Sequence, residues 1–264
     1  MKFAPDSLYF YKDLPPEKQF KAIKNAGFDH IEILFPYFTP LPELKTLLLD
    51  NGLGLPVMDV LPGNIQVMDI NAAVDPKREK EFKLNAEKAV AYATDLSVKN
   101  INCLSGIFTA TPDLSREKQL DLFRKNLLFL CNLVKGSDIS ILLEPISPKV
   151  IPDYHFSDLP RTVDFIKEMN HSNLGLQFDF FHIQMLHGNL LGNAEKYSSF
   201  TRYYQIANAP ERNEPGKGEI DFSFLLEAIV KRGYKDPFGL EYIPSCGMDK
   251  TFEWIKKIVR RTDK

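Results

Sequence analysis

The chain has 264 residues, 44% of them hydrophobic and 26% charged, which is enough apolar content for a full core at a length that α/β barrels commonly reach as one unit. A formal net charge of −2 leaves no broad electrostatic attraction for nucleic acid or an anionic membrane surface. The opening MKFAPDSLYF carries no long apolar segment with a basic flank, and nowhere do about 18 apolar residues run unbroken, so neither export nor membrane spanning is expected.

In chain order, the strand candidates are MKFAP, HIEILF, LPVMDV, NINCLS, ISILLE, LGLQFD, YYQIA and FGLEY. Helical patterns separate them over Pro16 to Asn25, Leu41 to Asn51, Pro76 to Leu96, Ser115 to Val134, Ser157 to Met169, Gly188 to Phe200, Phe222 to Arg232 and Lys250 to Arg261. Prolines at the start of the first helix with Gly27 beyond its end, and Ser115 and Ser157-Asp158 before apolar-periodic runs, are the expected boundary signals. About eight βα units predict a closed (β/α)8 barrel. The rival, an open doubly wound sheet, calls for a phosphate loop or a Gly-x-Gly-x-x-Gly turn after its first strand, and neither occurs; PGKGEIDF, Pro215 to Phe222, reads as a loop entering a helix. No composition break divides the chain, so a single domain over 1–264 is expected.

Four of the later strands end in oxygen donors: Glu144 after ISILL, Asp179 after LGLQF, Gln205 within YYQIA and Glu241 after FGL. In a barrel the C-terminal strand ends surround one mouth, where catalytic side chains belong. Three carboxylates in a partly desolvated cleft repel one another, and a divalent cation relieves this. The all-oxygen set favours Mg²⁺ or Mn²⁺ over zinc. Each acid taken alone reads more readily as a loop cap or a lysine partner; it is their recurrence in successive units that points to metal binding.

His182, three residues after Asp179, is either structural or a contact to substrate or to a ligand oxygen. His187, beside Gly188 and Asn189, reads as turn chemistry. Arg212, in the long loop after the seventh predicted strand with Glu211 and Glu214 nearby, is either a surface ion pair or a clamp for a substrate carboxylate. Cys103, Cys131 and Cys246 show neither metal-type spacing nor a disulfide framework, which fits a reducing cytosol.

The blocks AGFDHIEILFPY, ILLEPISP, LQFDFFHIQMLHGNLLGN, QIANAPERNEPGKGEIDF and GLEY resemble the hydroxypyruvate isomerase family, which includes 2-oxo-tetronate isomerase, nearly end to end. The wider resemblance is to xylose isomerase-like TIM barrels, which include ketose 3-epimerases and apurinic endonucleases. It implies a metal held by Glu144, Asp179, Gln205 and Glu241, with Glu144 and Glu241 as proton donor and acceptor and His182 and Arg212 on the substrate side. The chain departs from the family pattern at Asn102 and Tyr203, where histidines are usual, and at Ile243 and Ser245, which replace a polar or basic residue and an arginine. MLHGN also replaces the more usual DGN.

The expectation is a metal-assisted aldose–ketose-type isomerisation of a short hydroxy-oxo acid or sugar through an enediolate. The alternatives are a ketose or polyol 3-epimerase, which could use the same glutamates, and a non-catalytic barrel that binds a small acid. A metal-dependent nuclease is disfavoured, because that chemistry uses several histidines and this chain has five, mostly outside strand ends. Neither nucleic acid nor membrane is expected as a partner; a homo-oligomer is compatible with the sequence and not specified by it.

Overall fold

A computed structural model describes residues 1–262. Seven strands form one parallel sheet: β1 (Phe3–Pro5), β2 (Val57–Asp59), β3 (Asn100–Asn102), β4 (Ser140–Leu143), β5 (Leu174–Asp179), β6 (Thr201–Ile206) and β7 (Phe238–Leu240). Their order is β1-β7-β6-β5-β4-β3-β2, so the chain winds in one direction and the sheet curls until its two edges, β1 and β2, face each other.

The predicted strand HIEILF closes that gap as an irregular stave. Glu32 N–H donates to Pro5 O at 2.9 Å on the β1 side, while Ile31 N–H donates to Gly54 O at 3.0 Å and Leu34 O accepts from Asp59 N–H at 2.7 Å on the β2 side. Between those last two bonds the stave advances from Ile31 to Leu34 while its neighbour advances from Gly54 to Asp59. The extra residues include Pro56, which has no N–H to give, so a regular ladder cannot continue there. With this stave the (β/α)8 barrel expected from the sequence is complete.

The connecting helices are α1 (Pro16–Asn25), α2 (Leu41–Asn51), α3 (Glu79–Leu96), α4 (Arg116–Leu133), α5 (Leu159–Met169), α6 (Phe180–Leu186), α7 (Leu190–Lys196), α8 (Phe222–Lys231) and α9 (Glu253–Thr262). The ends are set by chemistry near where the sequence placed them. Ser115 Oγ accepts from Lys118 N–H, Asp158 Oδ1 from Arg161 N–H, and Asp221 Oδ1 from Ser223 and Phe224 N–H. Two expectations change. The helix anticipated over Gly188 to Phe200 contracts to α7: it starts after Asn189, which takes a left-handed conformation, and ends at Lys196. An unanticipated helix, α6, begins directly off β5.

The strands are buried on both faces, as a parallel sheet between helices and a barrel interior requires. Outward residues Phe178 and Tyr204 pack with Phe180, which lies 5.6 Å from Tyr204 in a stacked arrangement. Val57, Leu142 and Tyr203 form a separate apolar cluster from the inward face of the barrel. Each such fully buried side chain contributes roughly 1.5–3 kcal/mol relative to exposure. Polar side chains then occupy inward positions at the strand ends. No helix among the described residues is long and apolar enough to cross a membrane.

Candidate active site

The site is a ring of carboxylates separated by neutral amides. Asn102 Nδ2, at the end of β3, lies 3.4 Å from both Asp59 Oδ2 and Glu144 Oε2. On β5, Gln177 Nε2 donates to Glu144 Oε2 at 3.0 Å and to Gln205 Oε1 at 2.7 Å, and Gln205 Nε2 donates in turn to Glu32 Oε1 at 2.9 Å. Strand alternation puts Gln177 and Asp179 on the same inward face, and the Asp179–Gln205 register brings β5 and β6 side chains together.

Six acids, Asp6, Glu32, Asp59, Glu144, Asp179 and Glu241, are buried here, and none is more than 8% exposed. Burial raises all six carboxyl groups above the ordinary carboxylate range. Repulsion from Glu241 adds to this for Asp6, Glu32, Asp59, Glu144 and Asp179, while Arg212 opposes it at Asp179 and Glu241. Asp6 Oδ2, Glu32 Oε2, Asp59 Oδ1, Glu144 Oε1 and Asp179 Oδ2 are buried without a hydrogen-bond partner. Desolvated acceptors with nothing to accept from are costly, and a bound cation removes that cost.

Asp179 shows how local folding prepares the site. Its Oδ1 accepts from Phe181 N–H at 2.7 Å and so caps α6, while its Oδ2 stays free on the inward side. The cap fixes the carboxylate and sets His182 in the first turn of α6, where Nε2 lies 3.6 Å from Asp179 Oδ2 and 3.7 Å from Glu144 Oε1. Ligand atoms of Glu144, Asp179 and His182 all fall within 4.8 Å of one another, a spacing that could hold a metal ion.

Within that trio the carboxylates are the better ligands. His182 Nδ1 accepts from Ser147 N–H at 3.2 Å, and burial lowers its pKa so that the ring is neutral. The single ring proton therefore sits on Nε2, which faces the site as a donor. A donor suits a substrate oxygen or an acid oxygen rather than a cation. Glu144 and Asp179 each keep a free oxygen for a hard divalent ion, Gln205 Oε1 is shared with Gln177, and Glu241 is shared with Arg212.

Arg212 is the one arginine or lysine among the residues lining the cavity. Its Nη2 donates to Glu241 Oε1 at 2.6 Å and lies 3.5 Å from Asp179 Oδ2, and the guanidinium stacks 5.4 Å from the Phe181 ring. The surface ion-pair alternative is thus corrected: the pair is buried, with 12% and 11% of the two side chains exposed. Arg212 Nε is buried without an acceptor, so the guanidinium retains a donor. Glu211 is exposed, whereas Glu214 accepts from Ser245 N–H and Oγ and from Cys246 Sγ, and Ile243 N–H donates to Arg212 O. Ile243 and Ser245 therefore brace the loop that carries Arg212 and lie outside the cavity lining.

The structure brings Glu144, Asp179, His182, Gln205, Arg212 and Glu241 to one end of the barrel. His187 sits apart: its Nε2 accepts from Leu159 N–H and ties the end of α6 to α5. Sequence reasoning missed Asp6, Glu32, Asp59 and Gln177. The signal for all four was present as a polar residue on the inward alternation of a predicted strand or just beyond its end.

These features define a metal-compatible (β/α)8 barrel with paired acids at its mouth. The chain belongs to the xylose isomerase-like TIM barrel family, whose model matches residues 20–258. It is 29% identical to 2-oxo-tetronate isomerase of Haemophilus influenzae, across 97% of this chain and 98% of the relative. It is 31% identical to hydroxypyruvate isomerase of Escherichia coli, across 90% of this chain and 91% of the relative. A solved structure described as an AP endonuclease, family 2, from Brucella melitensis superposes with a TM-score of 0.91 at 26% identity, covering 97% of this chain and 98% of that one. D-psicose 3-epimerase from Clostridium cellulolyticum shares the fold with a TM-score of 0.77 at 20% identity, covering 99% and 95%.

Proposed function

We propose that this isomerase moves the carbonyl of a short hydroxy-oxo acid, R–CHOH–CO–COO⁻ to R–CO–CHOH–COO⁻, with Glu144 and Glu241 as the two proton carriers. The observation that carries the reading is a pair of buried glutamates lining one cavity with Arg212 and His182. Relatives named for hydroxypyruvate and 2-oxo-tetronate isomerisation at nearly full length support it. The chain would act as a single barrel domain, in the cytoplasm.

One glutamate takes the C3 proton and the other delivers a proton to C2, while the hydroxyl proton passes from O3 to O2; the intermediate is an enediolate and no net oxidation occurs. Arg212 Nε–H orients the substrate carboxylate and His182 Nε2–H donates to a hydroxyl or carbonyl oxygen. Glu144, Asp179, Gln205 and Glu241 would hold Mg²⁺ or Mn²⁺, which when bound supplies positive charge beside the oxygens where negative charge develops. The amides of Asn102 and Gln177 hold Glu144 in place from one side, so its free oxygen has a defined direction.

The epimerase alternative draws on the shared fold and would use the same glutamates, but it leaves the carbonyl where it was. Product analysis of hydroxypyruvate and 2-oxo-tetronate in deuterated water, with Mg²⁺ or Mn²⁺, separates the outcomes. A shifted carbonyl with deuterium at the newly formed C–H is expected. Exchange without a carbonyl shift would turn the reading to epimerisation, and binding without any exchange would overturn catalysis altogether.

A further inference from the structure

The cavity over the site has a volume of about 330 Å³ and two unlike ends. Its floor is polar, made by Asp59, Glu144, Gln177, His182, Arg212 and Glu241. Its wall comes from the first half of the barrel: Leu8 before α1, Leu34 on the irregular stave, Ile65 and Met68 after β2, Leu104 after β3 and Ile151 after β4.

That wall offers very little to a polar group. The backbone N–H of Leu8 is bound to Asp6 Oδ1, that of Met68 to Ile65 O, and that of Ile151 to Ser147 O. The Tyr9 hydroxyl is the one hydroxyl on the lining, and burial keeps it protonated. No lysine lines the cavity, and Arg212 belongs to the floor, held by Glu241. Among the lining side chains, the Tyr9 hydroxyl alone is left to pair with a hydroxyl or a second carboxylate at the far end of a substrate, whereas an alkyl group there is matched by the apolar wall.

We propose that the substrate is a 3-hydroxy-2-oxo acid whose R group is alkyl, a methyl or longer chain lying against Leu34, Ile65, Met68 and Ile151, rather than hydrogen or hydroxymethyl. This rests on the isomerase reading, and it specifies the one part of the molecule that the carboxylates and Arg212 do not read. Met68 is 59% exposed and Ile65 half-buried, so the apolar wall continues to the rim, which suits an R group that reaches outward. An apolar pocket separates homologues differing by one methylene by roughly 10- to 200-fold.

The test is kcat/KM of the full chain loaded with Mn²⁺ for acids R–CHOH–CO–COO⁻ with R as hydrogen, hydroxymethyl, methyl and ethyl. Methyl is expected to exceed hydrogen and hydroxymethyl by roughly tenfold or more, with ethyl at least equal to methyl. The double substitution Ile65→Asn with Met68→Gln, at a half-buried and an exposed position, with the fold checked by circular dichroism, should lower the methyl-to-hydroxymethyl ratio about tenfold. If hydroxymethyl or hydrogen is preferred, or the ratio is unmoved by the double substitution, the alkyl assignment is overturned while the isomerase reading stands. If no member of the series shifts its carbonyl, the isomerase reading itself falls, and the assignment with it.

Discussion

Two charged clusters lie near the same end of this barrel and are built in opposite ways. At the outer edge, Arg78 donates from Nη1 to both oxygens of Asp69 at 2.7 and 2.6 Å and from Nε and Nη2 to the two oxygens of Glu81 at 2.8 Å each. Both acids are held below the ordinary carboxylate range. At the mouth, six more deeply buried acids share Arg212 and a few amides, and five of them keep an oxygen with no partner. A cluster that satisfies itself can serve as structure. One that leaves desolvated acceptors open, with Asp59 and Glu144 lining a cavity, is arranged for something that arrives later.

The sharpest way to break this contrast is to neutralise one acid at the mouth. Glu144→Gln and Glu241→Gln should each lower kcat by roughly 10² to 10⁴-fold with the fold retained, read by steady-state kinetics beside circular dichroism. Their effects on metal-free stability should differ in sign. Glu144→Gln removes a charge that burial and its acidic neighbours oppose, so its Tm should equal or exceed the parent's. Glu241→Gln leaves Arg212 buried with only the longer contact to Asp179, a loss of up to about 3–5 kcal/mol. Near-normal turnover in Glu144→Gln would remove the mouth from the chemistry.

Metal binding is the next largest effect. Mg²⁺ or Mn²⁺ at about a hundred times its Kd should stabilise the protein by about 2.7 kcal/mol, a rise in Tm of roughly 5–10 °C that a chelator reverses. Asp179→Asn should abolish most of that rise. An equal rise in Asp179→Asn would place the ion somewhere other than the mouth.

Some of this site was legible in the sequence and some was not, for physical reasons. Glu144, Asp179 and Glu241 stand out because each acid ends an apolar run, where a core cannot use it. Glu32, in HIEILF, carries the same signal on the inward alternation, and Asp6 and Asp59 carry it at strand ends. The amide relay was hidden, since Gln205 and Glu32 are separated by 173 residues and meet only when the irregular stave closes the barrel. Helix α6 was hidden too. FFHIQML is rich in aromatic residues that favour strands, and it is the Asp179 cap that turns the chain into a helix there.

The relay has a weak point that tests its role. A Cβ on Gly239 would stand 2.4 Å from Glu32 Oε1, so this position on β7 is glycine because the Glu32 carboxyl fills the space. Gly239→Ala should cost about 1–3 kcal/mol and, by displacing Glu32 from Gln205, should also reduce turnover. A stability loss with unchanged kcat and metal affinity would mark the relay as packing alone.

The smallest effect belongs to the self-satisfied cluster. Arg78→Met should leave kcat unchanged and cost no more than about 1 kcal/mol, because the three side chains are partly exposed and screened by solvent. Its signature is in the pH dependence. Burial pushes the Asp69 carboxyl up, but its bonds to Arg78 and to backbone N–H groups outweigh this, and Glu81 is lowered chiefly by its bond to Arg78. Groups whose folded pKa lies below the unfolded value stabilise the fold above the ordinary carboxylate range and lose that contribution as pH falls through the depressed value. The parent should therefore lose Tm on acidification more steeply than Arg78→Met, and the two curves should converge at low pH. Parallel curves would show that the cluster contributes nothing through its charges.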